Sequence, residues 1–404
     1  MITKKITNGV YATSVLNPNM RTFDVVMRTE NGTSYNSYIV EGTEKIALIE
    51  TAHLDYFDYF IENIKQITSL EKIEYLVMNH NEPDHSGSIS KLLELIPNLK
   101  IVTTKAGSFF LKNIVNAQMK NIIVANDGDE IDLGTKTLKF VIAPFLHWSD
   151  SMFTYLKQDK LLFSCDFLGS HYCEPQIFDT QISHLDDYES AAVNYFNAIF
   201  SPFKPYVQQG LEKIKNLQIE IIAPSHGPVL TKNCQLEKIV NLYEKMSMVA
   251  KKEQPLIPLF YCSAYKNTEK IANSIAEGIK LVIPNSDVKT YDIIKNDMGN
   301  LSQLLNESDA FLIGTPTINR DAVPPVMNLL NTIDAINIAK RPSAVFGSYG
   351  WSGEGIPNVK VRLQSLKISL FEEDFKIIFV PTNEDLQKAV EFGKRFAEFL
   401  KTTL

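Results

Sequence analysis

Apolar residues in the first 250 positions follow two periods. Short runs with apolar positions alternating or nearly continuous read as strands at Val10–Val15, Thr22–Thr29, Ser34–Val40, Lys45–Glu50 and Ile73–Met78. Further strands read at Leu99–Thr103, Thr137–Ala143, Met152–Lys157 and Lys160–Ser164. Apolar positions three and four apart predict helices over Leu54–Ile67, Ser88–Leu95 and Lys105–Val115, and over residues 235–252. Two strand-rich arms separated by helices predict a mixed sandwich with helices outside. Pro255 disfavours helix at the residue before it, so a linker and a domain boundary between 252 and 253 are expected.

From there the pattern is a regular alternation. Strands read at Leu256–Cys262, Asp287–Asp292, Ala310–Gly314, Ser343–Phe346 and Lys376–Val380. Helices follow at Glu269–Leu281, Leu301–Asn306, Pro325–Ile336, Asn358–Leu366 and Glu384–Leu400. Five strands alternating with five helices predict an α/β, doubly wound, five-stranded parallel sheet. Such a sheet binds its ligand outside the strand C-terminal ends.

Bulk properties narrow the function classes. A chain of 404 residues is long for one core and suits two domains. A net charge of −7 without a basic run argues against nucleic acid. No apolar run approaches the roughly 20 residues a membrane-spanning helix needs, and Met1-Ile2-Thr3-Lys4-Lys5 has no apolar signal region, so a cytoplasmic location is expected. The four cysteines show no C-x-x-C spacing, which disfavours a disulfide framework or a thiolate metal site. All seven histidines precede the linker, so any imidazole-bound metal belongs to the first domain.

His80-Asn81-Glu82-Pro83-Asp84-His85 places four potential metal ligands in six residues after an apolar strand. Side chains two apart on extended backbone share a side, so His80 and Glu82 can serve one ion. Asp84 and His85 follow the turn at Pro83 and can serve a second. His147 and His226 each lie just past an apolar strand, and Asp166 ends another, where its two oxygens could bridge two ions.

These residues resemble the metallo-β-lactamase fold family, whose hydrolases carry H-x-H-x-D-H, a later His, a bridging Asp and a final His. The resemblance implies an α+β, αββα sandwich for residues 1–252. It assigns His80, Glu82 and His147 to one ion and Asp84, His85 and His226 to the other, with Asp166 between. Glu82 replaces the usual second His, and the added anionic oxygen favours a harder, redox-variable ion such as iron. His171, five residues beyond Asp166, is a candidate for hydrogen bonding or proton donation near the metal. His53 and His184 read as ordinary loop histidines.

In the second half, Ser263-Ala264-Tyr265-Lys266-Asn267-Thr268 leads from the first strand into a helix N-terminus, a phosphate cradle. It resembles the phosphate loop of flavodoxins, with Tyr265 and Lys266 departing from the usual [ST]-x-T-G-N-T. Thr315-Pro316-Thr317-Ile318-Asn319 follows the third strand, and Ser348-Tyr349-Gly350-Trp351-Ser352-Gly353 the fourth, where flavodoxins hold the flavin ring. Tyr349 or Trp351 could flank a flat ring. Three such loops imply FMN for residues 253–404, and no G-x-G-x-x-G for a dinucleotide is present.

Together the two halves resemble the flavodiiron proteins (A-type flavoproteins). That resemblance implies two non-haem irons with a bridging oxo or hydroxo group, FMN, and reduction of O2 to water, of NO to N2O, or both. It also implies a head-to-tail homodimer, or a dimer of such dimers. With no rubredoxin-like or NAD(P)H-reductase segment before Leu404, electrons are expected from a separate rubredoxin, its reductase, or a reduced deazaflavin. His171 and Tyr195 are the candidate proton-delivery residues. Two rivals from other classes remain: a dinuclear zinc hydrolase, which Glu82 disfavours, and a non-enzymatic flavin electron carrier, which the complete ligand set disfavours.

Overall fold

The computed structural model describes residues 2–116, 119, 121–248 and 253–403. The chain divides into two compact units, Met1–Val249 and Ala250–Leu404. The expected boundary at 252, and the end of the expected helix over 235–252, fall outside the described residues.

In the first unit two sheets lie between helices. One runs in the order Ile2–Thr7, Val10–Asn17, Tyr38–Glu41, Ile46–Ile49, Ile73–Val77, Lys100–Thr103, Ile122–Val124, with Thr33–Tyr35 also paired to Val10–Asn17. The other runs Glu130–Asp132, Thr137–Ile142, Met152–Leu156, Leu161–Cys165, Ile221–Pro224, Leu230–Thr231. The period of two sorts each strand's side chains into layers. Ile39, Leu48, Leu76 and Ile101 pack outward with Phe57, Phe60, Ile64, Ile89, Leu92 and Leu111 of the covering helices. Their neighbours Tyr38, Val40, Ala47, Ile49, Val77 and Val102 turn inward and meet Leu138, Phe140, Met152, Leu161 and Phe163 of the second sheet. On that sheet's far face, Val141, Phe153, Tyr155, Leu162 and Ile222 pack with Tyr188, Tyr195, Phe200, Val207 and Tyr243. Three apolar layers between four structural layers make the αββα sandwich.

The helices Leu185–Tyr195 and Lys204–Lys215 of that outer layer were not legible as helices in the sequence pattern. Leu54–Ile67 opens as a 3₁₀ turn and becomes α-helical only over Phe57–Lys65. Thr22–Thr29, expected as a strand, is a tight hairpin pairing Thr22–Phe23 with Met27–Arg28, because Asp24 and Val25 adopt φ of 44° and 56° and reverse the chain.

The second unit is a parallel sheet in the order Asp287–Asp292, Leu256–Tyr261, Phe311–Gly314, Pro342–Tyr349, with the fifth position shared by Ser369–Leu370 and Phe375–Ile378. Ile257, Leu259 and Tyr261 face the helices Asn267–Val282 and Asn383–Thr403, while Phe260 and Cys262 face the opposite helical layer. Alternation on strands buried from both sides thus gives the doubly wound form. The helix expected over Pro325–Ile336 is broken into Pro324–Leu330 and Ala335–Ile338. The Asp334 carboxylate accepts from the N–H groups of Ile336 and Asn337 and so caps a new helix there. Among the described residues no helix is long and apolar enough to cross a membrane.

Candidate metal centre and flavin cleft

In the first unit, strand ends deliver the side chains singled out above to one place. His80 follows Ile73–Val77, His147 follows Thr137–Ile142, Asp166 follows Leu161–Cys165, and His226 follows Ile221–Pro224. Pro83 occupies the first turn of the short helix Pro83–Ser86, which carries Asp84 and His85 inward and leaves Glu82 in extended backbone as its N-cap. Gly107 is required beneath this loop, since a Cβ there would sit 2.2 Å from Thr103 Oγ1 and 2.5 Å from Asn81 Nδ2. Three non-glycine residues beside the cluster have left-handed backbone: Glu50, Phe145 and Cys165 at φ of 60°, 65° and 52°. Such strain is held where side chains must be aimed.

Two triangles of ligand atoms result. Glu82 Oε2 lies 3.2 Å from His80 Nε2 and 3.1 Å from His147 Nε2. Asp84 Oδ2 lies 3.4 Å from His85 Nε2 and 3.0 Å from His226 Nε2. Asp166 spans the two. Its Oδ2 is 3.6 Å from His80 Nε2 and 3.4 Å from His147 Nε2, and its Oδ1 is 3.1 Å from His85 Nε2 and 3.4 Å from His226 Nε2. Ligands bound at about 2.1 Å to a common ion stand roughly 3.0–3.4 Å apart, so each triangle has the size of a coordination sphere. Both oxygens of Asp84, both of Asp166 and His85 Nε2 are buried without a hydrogen-bond partner among the described residues. At these separations that means the lone pairs converge on shared points instead of on each other. The donor set of imidazole nitrogens and three carboxylates fits two divalent or trivalent ions such as iron.

Electrostatics say the same. Burial disfavours charge on His80, Glu82, His85, His147 and Asp166, yet their mutual attraction prevails. His80 is held well above its ordinary range by Asp150 and Glu82 against burial, and His147 is likewise raised by Asp166 and Glu82. His85, opposed by burial, is pushed up to about 10 by Asp84 and Asp166. Glu82 and Asp166 are held low by the facing imidazoles despite burial. The carboxylates of the cage thus favour positive charge between them.

Residues the sequence reading passed over orient the ligands. Asp150, fully buried, has Oδ1 3.1 Å from His80 Nδ1, while Oδ2 accepts from Asn81 N and Nδ2, each at 2.8 Å. The Ser34 carbonyl accepts from His226 Nδ1 at 2.7 Å. Buried Glu50 accepts from Asn79 N at 2.7 Å and clusters with His85. The Trp148 ring meets His80 edge-on at 5.0 Å between centroids. No local spacing rule marks these partners: Trp148 and Asp150 share the loop of His147 yet reach His80, and Ser34 and Glu50 come from other strands or strand ends.

His171 lies beside the cage, 5.0 Å from the His226 ring and 4.9 Å from Tyr195. Its Nδ1 meets Thr33 Oγ1 at 2.9 Å, while Nε2 has no hydrogen-bond partner among the described residues. Burial, then the neighbouring His226, holds it well below the usual histidine range. The Tyr195 hydroxyl is buried with no hydrogen-bond partner among the described residues, and burial pushes its pKa far up. His53 Nδ1 accepts from the Asp55 N–H as a helix cap, and His184 directly precedes the helix Leu185–Tyr195.

In the second unit a cleft of about 370 Å³ opens at the strand C-terminal ends. Ala264, Tyr265, Asn267, residues 316–319 and residues 348–352 line it, joined by Arg320, Glu354 and Phe379, which the sequence reading did not include. Ser263, Lys266, Thr268, Thr315 and Gly353 do not line it. Thr268 and Thr315 are buried beneath, where the Thr268 hydroxyl meets that of Ser348 at 2.9 Å and Thr315 Oγ1 donates to the Pro316 carbonyl. Ser263 Oγ accepts from Glu269 N at 3.3 Å, and Gly353 turns the chain at φ of 75°. Lys266, at φ of 62°, provides no side-chain cap to the helix Asn267–Val282. The helix N-terminus, with its dipole and N–H donors, therefore faces the cleft's phosphate-loop end and suits an anion. A flat cleft with aromatic flanks at one end and amide donors at the other fits FMN.

Comparison with known proteins agrees with these two units. Residues 33–227 match the model of the ODP family beta lactamase, and residues 259–393 match flavodoxin. The flavo-diiron protein FprA2 of Clostridium acetobutylicum is 47% identical over 395 residues, covering 98% of each chain. A nitric oxide reductase of Moorella thermoacetica is 33% identical over 97% of each. The crystal structure of rubredoxin oxygen:oxidoreductase from Desulfovibrio gigas superimposes with a TM-score of 0.69 at 27% identity, covering 100% of this chain and 99% of that one.

Proposed function

Since the chain belongs to the flavo-diiron proteins and is an oxidoreductase, we propose that it reduces O2 to water, NO to nitrous oxide, or both, at a non-haem diiron centre supplied by FMN. The observation carrying this reading is Asp166, whose two oxygens each face a different triangle of imidazole and carboxylate atoms. When bound, two ferrous ions and reduced FMN supply two electrons each, which suffices for O2 + 4 e⁻ + 4 H⁺ → 2 H2O and exceeds the need of 2 NO + 2 e⁻ + 2 H⁺ → N2O + H2O.

The protein's own contribution is to hold and to exclude. His80, Glu82 and His147 hold one ion, Asp84, His85 and His226 the other, and Asp166 fixes their spacing. Three carboxylates among four neutral imidazoles leave two ferrous ions with a residual charge of about +1, which tolerates electron loss better than an all-imidazole set. Asp150 and Ser34 hold Nδ1 protons on His80 and His226, so each Nε2 presents its lone pair inward. Tyr195 and His171 form the wall beside His226, and one of them supplies protons to the reacting gas. Phe23 packs against His171 and Trp148 against His80, so apolar rings flank the cage.

Electrons come from a separate donor, such as a rubredoxin, its reductase or a reduced deazaflavin. A head-to-tail homodimer brings each FMN to the partner's iron pair. A monomerised variant keeps iron and FMN but loses turnover under this arrangement, and full activity in a strict monomer refutes it. The central test is anaerobic reduction of iron-loaded protein followed by separate additions of O2 and NO, with water, peroxide and N2O quantified. Indifference to both gases defeats the reading. Two tightly held zinc ions and no capacity for iron would transfer it to a hydrolase.

A further inference from the structure

The flavin cleft is lined by one cation and one anion among the described residues, Arg320 and Glu354, side by side at its rim. Arg320 Nε stands 4.0 Å from Glu354 Oε1. We propose that this pair sets the electron affinity of the bound flavin, with Arg320 stabilising the reduced ring and Glu354 limiting that effect. The inference rests on the FMN reading above.

The backbone supports a purpose for the arginine. Strands Thr317–Ile318 and Asp321–Ala322 pair through a two-residue turn in which Asn319 and Arg320 have φ of 54° and 60°. Such a turn favours Asn first and Gly second. An arginine at the second position sacrifices local stability to put a guanidinium at the rim. The backbone that carries Arg320 is held in place, and so is the Glu354 carboxylate. Asn358 Nδ2 donates to the Arg320 carbonyl and to Asp321 Oδ1, and Gly355 N donates to Thr317 Oγ1, pinning the hairpin to the next helix. The Ser352 hydroxyl donates to Glu354 Oε1 at 2.6 Å. A carboxylate held in this way acts on a neighbouring ring with little reorganisation, and the exposed Arg320 side chain adds its charge from the rim.

Uptake of two electrons and one proton by oxidised FMN leaves a ring with one negative charge. A nearby cation favours that form and a nearby anion opposes it. The test is spectroelectrochemical titration of the flavin in the full-length protein, with dithionite as reductant and FMN content measured first. Arg320→Gln should weaken reduction about tenfold, a fall of about 30 mV for a two-electron couple. Glu354→Gln should move the midpoint upward by a similar amount, the double variant should return near wild type, and Arg320→Lys should stay close to it. If Arg320→Gln loses flavin, the sign of the Glu354→Gln shift decides. Unmoved midpoints, or both single variants shifting the same way, overturn the inference. A wild-type protein that binds no FMN refutes the cofactor reading itself.

Discussion

Asp150→Ala removes a carboxylate that reaches no proposed iron position, only His80 and Asn81. Its loss strips the acceptor from His80 Nδ1 at 3.1 Å and from two Asn81 donors at 2.8 Å, all buried. Breaking a buried charged network of this kind costs about 3–5 kcal/mol of stability. The effect on metal is separate: loss of such an orienting partner lowers affinity about 10–100-fold, or roughly 1.4–2.7 kcal/mol. It should fall on one ion. His80 serves the triangle with Glu82 and His147, whereas His226 keeps its bond to Ser34 O. Anaerobic dialysis against buffered ferrous ion, with iron per chain measured at each level, should show one site weakened and the other near wild type. Asp150→Asn, which keeps the shape and one acceptor, should lie between. Two irons held at wild-type affinity in Asp150→Ala would refute the orientation argument.

Other outcomes follow from the same geometry. Asp166→Ala should release both irons together, because each triangle loses an oxygen, and an iron count of one per chain would show that the carboxylate does not bridge. In the metal-free protein, His85 at about 10 lies above its unfolded 6.5, so its stabilisation is complete below pH 6.5 and disappears as pH rises toward 10. Glu82 and Asp166, held low, act in the opposite sense and lose their contribution under acid. Thermal melts of the metal-free form should therefore peak at about pH 5–6 and fall steadily on the alkaline side, while the iron-loaded form stays flatter there. Tyr195→Phe deletes a buried hydroxyl that has no partner among the described residues, so the melting temperature should hold or rise while turnover falls if that hydroxyl serves the gas.

How much of this was legible beforehand differs between the two units. The βα alternation after residue 255 shows in the sequence because its central strands, Leu256–Tyr261, Phe311–Gly314 and Pro342–Tyr349, are buried on both faces and are largely apolar. The helices Leu185–Tyr195 and Lys204–Lys215 escaped notice because they cover the sandwich with sparse apolar positions among charged ones. The hairpin at 22–28 was hidden because its turn uses Asp24 and Val25, not glycine.

The ligand types were written in the chain itself: a six-residue cluster and three later residues past apolar strands, chemistry that depends on residue identity alone. What folding alone decided is which atoms meet. Asp166 faces both triangles only because the Leu161–Cys165 strand lies parallel to Ile221–Pro224 and ends in a left-handed residue, and Asp150 reaches His80 across 70 positions of sequence. The same holds for Arg320 and Glu354, brought to one rim by two loops that share no local pattern. Local periodicity records what a segment buries; partners across a sheet end are set by strand order and register, which no short stretch of sequence encodes.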